Sequence, residues 1–151
     1  MKAKDIMNTT PFTISADSTI RELINLFNDR RVDGVCVVGE GNRLEGIVTL
    51  FELFQAIVPD YVKMKEALSH LVPEGYFEKN CRRVQNQPVR SIMKKNVVPF
   101  DEEDTLLQII ADITKHRLIV VPVLRKGVLV GMIHRKTLLS YAGKVCIVNT
   151  Q

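Results

Sequence analysis

The feature that most constrains this chain is a repeat, because one run of structural signals is written twice. A constant offset lays Ile6-Met7 on Ile92-Met93, Thr19 on Thr105, Arg31 on Arg117, and Val35-Cys36-Val37 on Val121-Pro122-Val123. One residue is then lost in a turn, so Gly46 falls on Gly131. The helical periodicity repeats as well. Ile20, Leu23, Ile24 and Phe27 follow i, i+3, i+4, i+7, one face of an α-helix, and Leu106, Ile109, Ile110 and Ile113 do the same in the second copy. Thr19 with Glu22, and Thr105 with Gln108, match the capping box that satisfies the first free N–H groups of a helix. Chance rarely reproduces a start signal and a buried face together, so the chain is one unit built twice.

Each unit reads as a short entry strand (Phe12-Thr13-Ile14 or Val98-Pro99-Phe100), a helix, two strands and a second helix. Val35 to Val38 and Leu44 to Val48 are joined by Gly39-Glu40-Gly41-Asn42, and Ile119 to Leu124 and Val128 to Ile133 by Arg125-Lys126-Gly127. Glycine in such short links is what a hairpin demands. These strands are apolar nearly throughout, which predicts cover on both faces. A unit of about 50 residues buries too little apolar surface to stand comfortably alone, so two units packed sheet to sheet would share one core. The expected organisation is a first repeat at 1–58, a helical linker or insert at 59–87, a second repeat at 88–143 and a tail at 144–151. In the insert, Tyr61, Met64, Leu68 and Leu71 share a helical face that Pro73 ends, and Tyr76, Phe77, Cys81 and Val84 mark a second, shorter helix. The insert is open to three roles: a strap across the pair, a partner surface or a lid. Gly143 is expected to stop the last helix, leaving Lys144 to Val148 as a final strand or a dimer contact.

Several function classes fall away. The composition, 46% hydrophobic and 25% charged, is that of a folded soluble domain. No run approaches the roughly 20 apolar residues of a membrane span, and Met1 to Asp5 is not followed by the apolar region of a secretory signal. Cys36, Cys81 and Cys146 show no C-x-x-C spacing, and Cys36 among valines reads as a small core residue. A cytoplasmic protein is the expectation. The net charge of +4 is spread over scattered basic pairs with no nucleic-acid-binding motif. His70, His116 and His134 lack zinc spacing, and no catalytic triad, P-loop or dinucleotide fingerprint follows a strand. No enzyme and no metal site is expected.

What remains is a pair of corners. Gly46-Ile47-Val48-Thr49-Leu50-Phe51-Glu52 runs from a strand into a helix start, and Gly131-Met132-Ile133-His134-Arg135-Lys136-Thr137 echoes it. Free backbone N–H groups and the positive end of the dipole make a helix start suited to an anion. Thr49 also suits an N-cap, with Glu52 closing a capping box onto it.

The ordered set resembles the cystathionine-beta-synthase (CBS) domain: Ile-Met, a short strand, a capped helix, a Val/Pro-Val strand, then Gly-hydrophobic-hydrophobic-Thr before a helix. Two copies cover nearly the whole chain apart from the insert and the tail. The resemblance implies an α/β (α+β) fold of two β-α-β-β-α repeats with pseudo-twofold symmetry, commonly paired into a homodimer. It implies a regulatory module whose inter-repeat clefts bind adenosine-containing ligands, here AMP, ADP, ATP or S-adenosylmethionine, and which signals to a regulated protein. The alternative it leaves is a ligand-free scaffold for dimerisation and protein interaction.

Nucleotide-binding members carry Ser/Thr-x-x-Asp after the glycine, with the hydroxyl near phosphate and the carboxylate on the ribose. Thr49 matches, and Glu52 keeps the charge with one more methylene. In the second copy Thr137 replaces the carboxylate, while Arg135 and Lys136, beside His134, and Arg117 supply positive charge suited to phosphate oxygens. The resemblance places a purine against Thr10, Phe12, Thr13 and Val35 in one copy, and against Asn96, Val98 and Val121 in the other.

Overall fold

The computed structural model describes residues 1–58, 70, 71 and 73–147. Its elements run α1 (Ala3–Ile6), β1 (Thr13–Ser15), α2 (Ile20–Arg30), β2 (Gly34–Val38), β3 (Leu44–Thr49), α3 (Leu50–Ile57), α4 (Tyr76–Val84), β4 (Phe100–Asp101), α5 (Leu106–His116), β5 (Val121–Arg125), β6 (Val128–Ile133) and α6 (Arg135–Ile147). They form the two expected repeats, each with one three-stranded sheet, in the orders β1-β2-β3 and β4-β5-β6. In each sheet the entry strand pairs parallel and the hairpin antiparallel. Both hairpins shift register at equivalent places, between Val37 and Val38 and between Val123 and Leu124.

At both helix starts the hydroxyl half of the expected capping box forms. The Thr19 hydroxyl accepts the Glu22 N–H at 3.2 Å, and the Thr105 hydroxyl accepts that of Gln108 at 3.3 Å. Both helices then end on an arginine in the left-handed region, Arg31 at φ 52° and Arg117 at φ 50°. The β5–β6 turn places Lys126 and Gly127 at positive φ, the geometry of a two-residue hairpin turn.

Alternation along the strands explains why they are apolar on both faces. Val35, Val37 and Val48 point into a core with Ile20, Leu23 and Phe27 of α2. Val121, Val123 and Ile133 do the same with Ile109 of α5. The intervening residues, Cys36 and Ile47 of one repeat and Val120, Leu129 and Met132 of the other, form a third core between the two sheets. Burial pushes the Cys36 thiol up to about 12, so it stays protonated at neutral pH and serves as a small apolar residue.

The repeats also exchange their leading segments. Ala3 of α1 is fully buried in the second repeat's core beside Phe100 and Ile109, and its N–H donates to the Asp104 carbonyl at 2.9 Å. Val89, ahead of the second repeat, is fully buried in the first repeat's core, and its N–H donates to the Ser18 carbonyl at 2.8 Å. Asn8 bridges to Met132, and Lys94 bridges to Ile47. Lys2 and Lys4 both reach the Glu103 carboxylate, at 2.5 and 2.6 Å, and hold its pKa down at about 2.

In the insert the shorter helix is present as α4. Val84 enters the first core, and the buried Asn80 amide donates to the Ile57 carbonyl at the end of α3. Tyr61, Met64 and Leu68 lie outside the described residues. The end of the chain differs from expectation: α6 continues through Gly143 to Ile147, so Lys144 to Ile147 are helical and not a strand. A C-terminal stop needs glycine at positive φ, and Gly143 is not among the glycines that adopt it. Within a helix it costs only about 1 kcal/mol relative to alanine.

A Cβ on Gly46 would lie 2.8 Å from the Lys94 carbonyl oxygen and 3.1 Å from Met93 Sδ; on Gly131 it would lie 2.6 Å from Met7 Sδ and 3.1 Å from the Asn8 carbonyl oxygen. Gly46→Ala should therefore destabilise by about 1–3 kcal/mol, as overpacking does. Gly131→Ala should cost less, since the nearest atom there belongs to a flexible thioether. Urea denaturation midpoints at unchanged slope check the order, and equal costs would contradict it.

Two clefts between the repeats

The first corner forms because β3 runs into α3 without a break. Thr49 is still a ladder residue opposite Gly34, and it is also the N-cap. Its hydroxyl accepts the Phe51 N–H at 3.2 Å and donates to Glu52 Oε2 at 2.6 Å. This modifies the expected capping box: the Glu52 carboxylate takes the hydroxyl hydrogen of Thr49, which it meets before the backbone. One carboxylate oxygen is thereby held, and the side chain stands half-buried at the mouth of a cavity.

That cavity, about 580 Å³, lies between the repeats. Thr49, Glu52 and Gln55 line one side, and Lys94, His116 and Arg117 of the second half line the other, over a floor that includes Ile47 and Val120. Lys94 arrives there because its backbone pairs with Ile47, donating and accepting at 2.8 and 2.9 Å. Arg117 arrives as the left-handed cap of α5, its N–H donating to the Ile113 carbonyl.

A second cavity of about 480 Å³ follows from the same plan with the repeats exchanged. His134, Arg135, Lys136 and Thr137 form its corner, and Arg31 and Asp33 face them from the first repeat. The His134 carbonyl accepts the Thr137 N–H at 3.0 Å. Here the chemistry departs from the first cleft. Arg135 Nη2 donates to Asp33 Oδ2 at 2.7 Å, a bond from one repeat to the other between side chains about half exposed, 51% and 47%.

The clefts thus gather seven of the residues singled out from sequence: Thr49, Glu52 and Arg117 in the first, and His134, Arg135, Lys136 and Thr137 in the second. The seven positions suggested for a purine line neither cavity. Val35 and Val121 are buried in their own repeats' cores, and Val98 packs against the second. Thr13 pairs with Cys36 in the sheet. The N–H and hydroxyl of Thr10 both donate to Asn8 Oδ1. The Phe12 ring lies under the Arg30 guanidinium, 4.7 Å from its centroid, and Asn96 is exposed.

Sequence reasoning overlooked Lys94, Gln55, Arg31 and Asp33 as cleft residues. The signal for Arg31 was available in its alignment with Arg117. Asp33 had none, since its counterpart is Ile119. Among the described residues no cluster of His, Cys, Asp and Glu is arranged to hold a metal, and no helix is long and apolar enough to cross a membrane.

Comparison with known proteins gives the following. Residues 3–59 and 89–144 match the family model described as CBS domain. The choline transport ATP-binding protein OpuBA of Bacillus subtilis (strain 168) is 32% identical over 108 residues, 70% of this chain. The chain spans only 27% of that relative's length. The crystal structure of AcuB from Vibrio cholerae shares the fold with a TM-score of 0.73 at 23% identity, over 99% of this chain and 95% of that one. So does CBSX2 in complex with AMP, at 0.72 and 15%, over 96% and 98%.

Because the Thr49 hydroxyl both caps α3 and holds Glu52, Thr49→Val should destabilise the fold by about 1 kcal/mol, the usual worth of an N-cap. Thr49→Ser should stay within a few tenths of the parent. Denaturant titration of the two variants measures the difference, and a neutral Val variant would deny the cap any energetic role.

Proposed function

The chain belongs to the CBS domain family, and we infer that it is a non-catalytic regulatory module whose clefts bind an adenine nucleotide or a related ligand with ribose and phosphate. The observation that carries this is the first cleft, where Thr49 and Glu52 of one repeat stand opposite Arg117 and Lys94 of the other. A carboxylate that already accepts one hydroxyl hydrogen is suited to the paired hydroxyls of a ribose. Arginine and lysine across the gap suit the phosphate. The AMP complex of CBSX2, on the same fold, supports the ligand class, and S-adenosylmethionine remains within it.

A ligand in such a cleft touches both repeats, so it stabilises one arrangement of the pair over another by the difference in its affinity for the two. A regulated protein would read that arrangement. The resemblance to part of a transport ATP-binding protein fits a module that acts on a separate catalytic part. Exposed Phe51 and Phe54 on α3 and Leu139 on α6 offer apolar surface for a homodimer. A second reading, a scaffold with empty clefts, is favoured by one observation: Thr137 stands where the first cleft has a carboxylate.

A thermal-shift screen with AMP, ADP, ATP and S-adenosylmethionine separates the two. A ligand at 100 times its dissociation constant adds about 2.7 kcal/mol, and the expected result is a shift with at least one of them. Glu52→Ala should then weaken binding roughly tenfold or more, the worth of a hydrogen bond to a charged group. No shift at millimolar concentration would leave the scaffold.

A further inference from the structure

The two clefts share a plan but not a charge state. In the first, the carboxylate belongs to the corner itself and is tied to its own cap hydroxyl, so Arg117 and Lys94 face it across the gap. In the second, the carboxylate comes from the opposite repeat and is bonded to the corner's own cation, Arg135. Asp33 is not a loose surface acid. Its backbone carbonyl accepts the Leu50 N–H at 3.0 Å, the first residue of α3, which pins it between β2 and the first corner. From that anchored position its carboxylate crosses to Arg135 at the start of α6, with Lys136 next to that arginine and Arg31 on its own side of the cleft. Three cations therefore line a cavity of about 480 Å³ that has the volume for a nucleotide-sized anion, and the one at the head of α6 already holds an internal anion.

We propose that Asp33 is a built-in competitor for the second cleft: its carboxylate occupies the anion-binding position of Arg135, so a phosphate enters only by displacing it. The proposal rests on reading the clefts as anion sites and adds which residue restricts entry to the second. One consequence follows for the ligand. The second cleft favours one with several negative charges, since a polyphosphate engages Arg31 and Lys136 while it displaces Asp33, whereas a single phosphate exchanges one anion for another. The pair joins the repeats as well, so displacement releases a contact that holds them together.

Inorganic pyrophosphate is the probe, because it carries the charge without ribose or base. Isothermal titration at low ionic strength uses the full chain with Arg117→Gln, which weakens the phosphate side of the first cleft. Adding Asp33→Asn should tighten pyrophosphate binding about fivefold, the scale of a partly exposed ion pair together with the repulsion removed. Adding Arg135→Gln as well should abolish the gain. Unchanged affinity on adding Asp33→Asn, or a gain that persists without Arg135, overturns the proposal. Melting temperatures of the variants confirm that each is folded. Failure of the nucleotide screen while the pyrophosphate gain stands would remove the nucleotide reading and leave Asp33 in its role; nucleotide binding without that gain would do the reverse.

Discussion

The structure depends on a reciprocal close approach: Gly46 against Met93 and Lys94, and Gly131 against Met7 and Asn8. At each point one repeat gives up a side chain so that the segment leading the other can lie across its last strand. The contact explains why an Ile-Met pair and a glycine recur at matched places, since each glycine is the seat of the other copy's methionine. It also explains why neither repeat completes itself. Ala3 finishes the second core and Val89 the first. The exchange costs no backbone polar group, because the crossing segments pair with Ile47 and Met132 as short bridges.

The clefts are by-products of the same symmetry. Each sheet points alternate residues at the other, and the bodies meet along Cys36, Ile47, Val120, Leu129 and Met132. Where this shared layer runs out, a strand-to-helix corner of one repeat faces the left-handed arginine cap of the other. Both sites are therefore composite, and neither could exist in an isolated repeat. Symmetry supplies the places but not the chemistry. The copies differ in having a carboxylate at one corner and cations at the other, and the acid that faces the cationic corner comes from the opposite repeat.

Most of the fold was legible because it rests on local, periodic signals: helix faces, caps, hairpin glycines and apolar strands, each seen twice. The exchange of leading segments was not, because nothing in the spacing of Met7 or Ala3 says which repeat it will serve. The end of α6 was misjudged for a local reason, since glycine stops a helix only where the backbone turns left-handed, and Gly143 does not. In the clefts, the residues on the motif itself were found, Thr49, Glu52, His134, Arg135, Lys136 and Thr137. Those that reach in from the opposite repeat were found only where chemistry drew attention to them, as with Arg117. Asp33 and Lys94 are cleft residues by tertiary placement alone.

The exchanged segments have a consequence for how the protein is made. Helix α1 is synthesised roughly a hundred residues before the sheet and helix it packs on, and a closure that long is entropically costly and slow. Until β4 to β6 exist, α1 has no seat, and the floor of the first repeat's core waits for Val89. The first half cannot reach its final form while it alone is outside the ribosome. Its exposed glycine edge at Gly46 stays open to whatever strand arrives, including the same segment from a neighbouring chain. The covalent connection at 59–87 favours the chain's own second half, because it sets a high effective concentration of that partner.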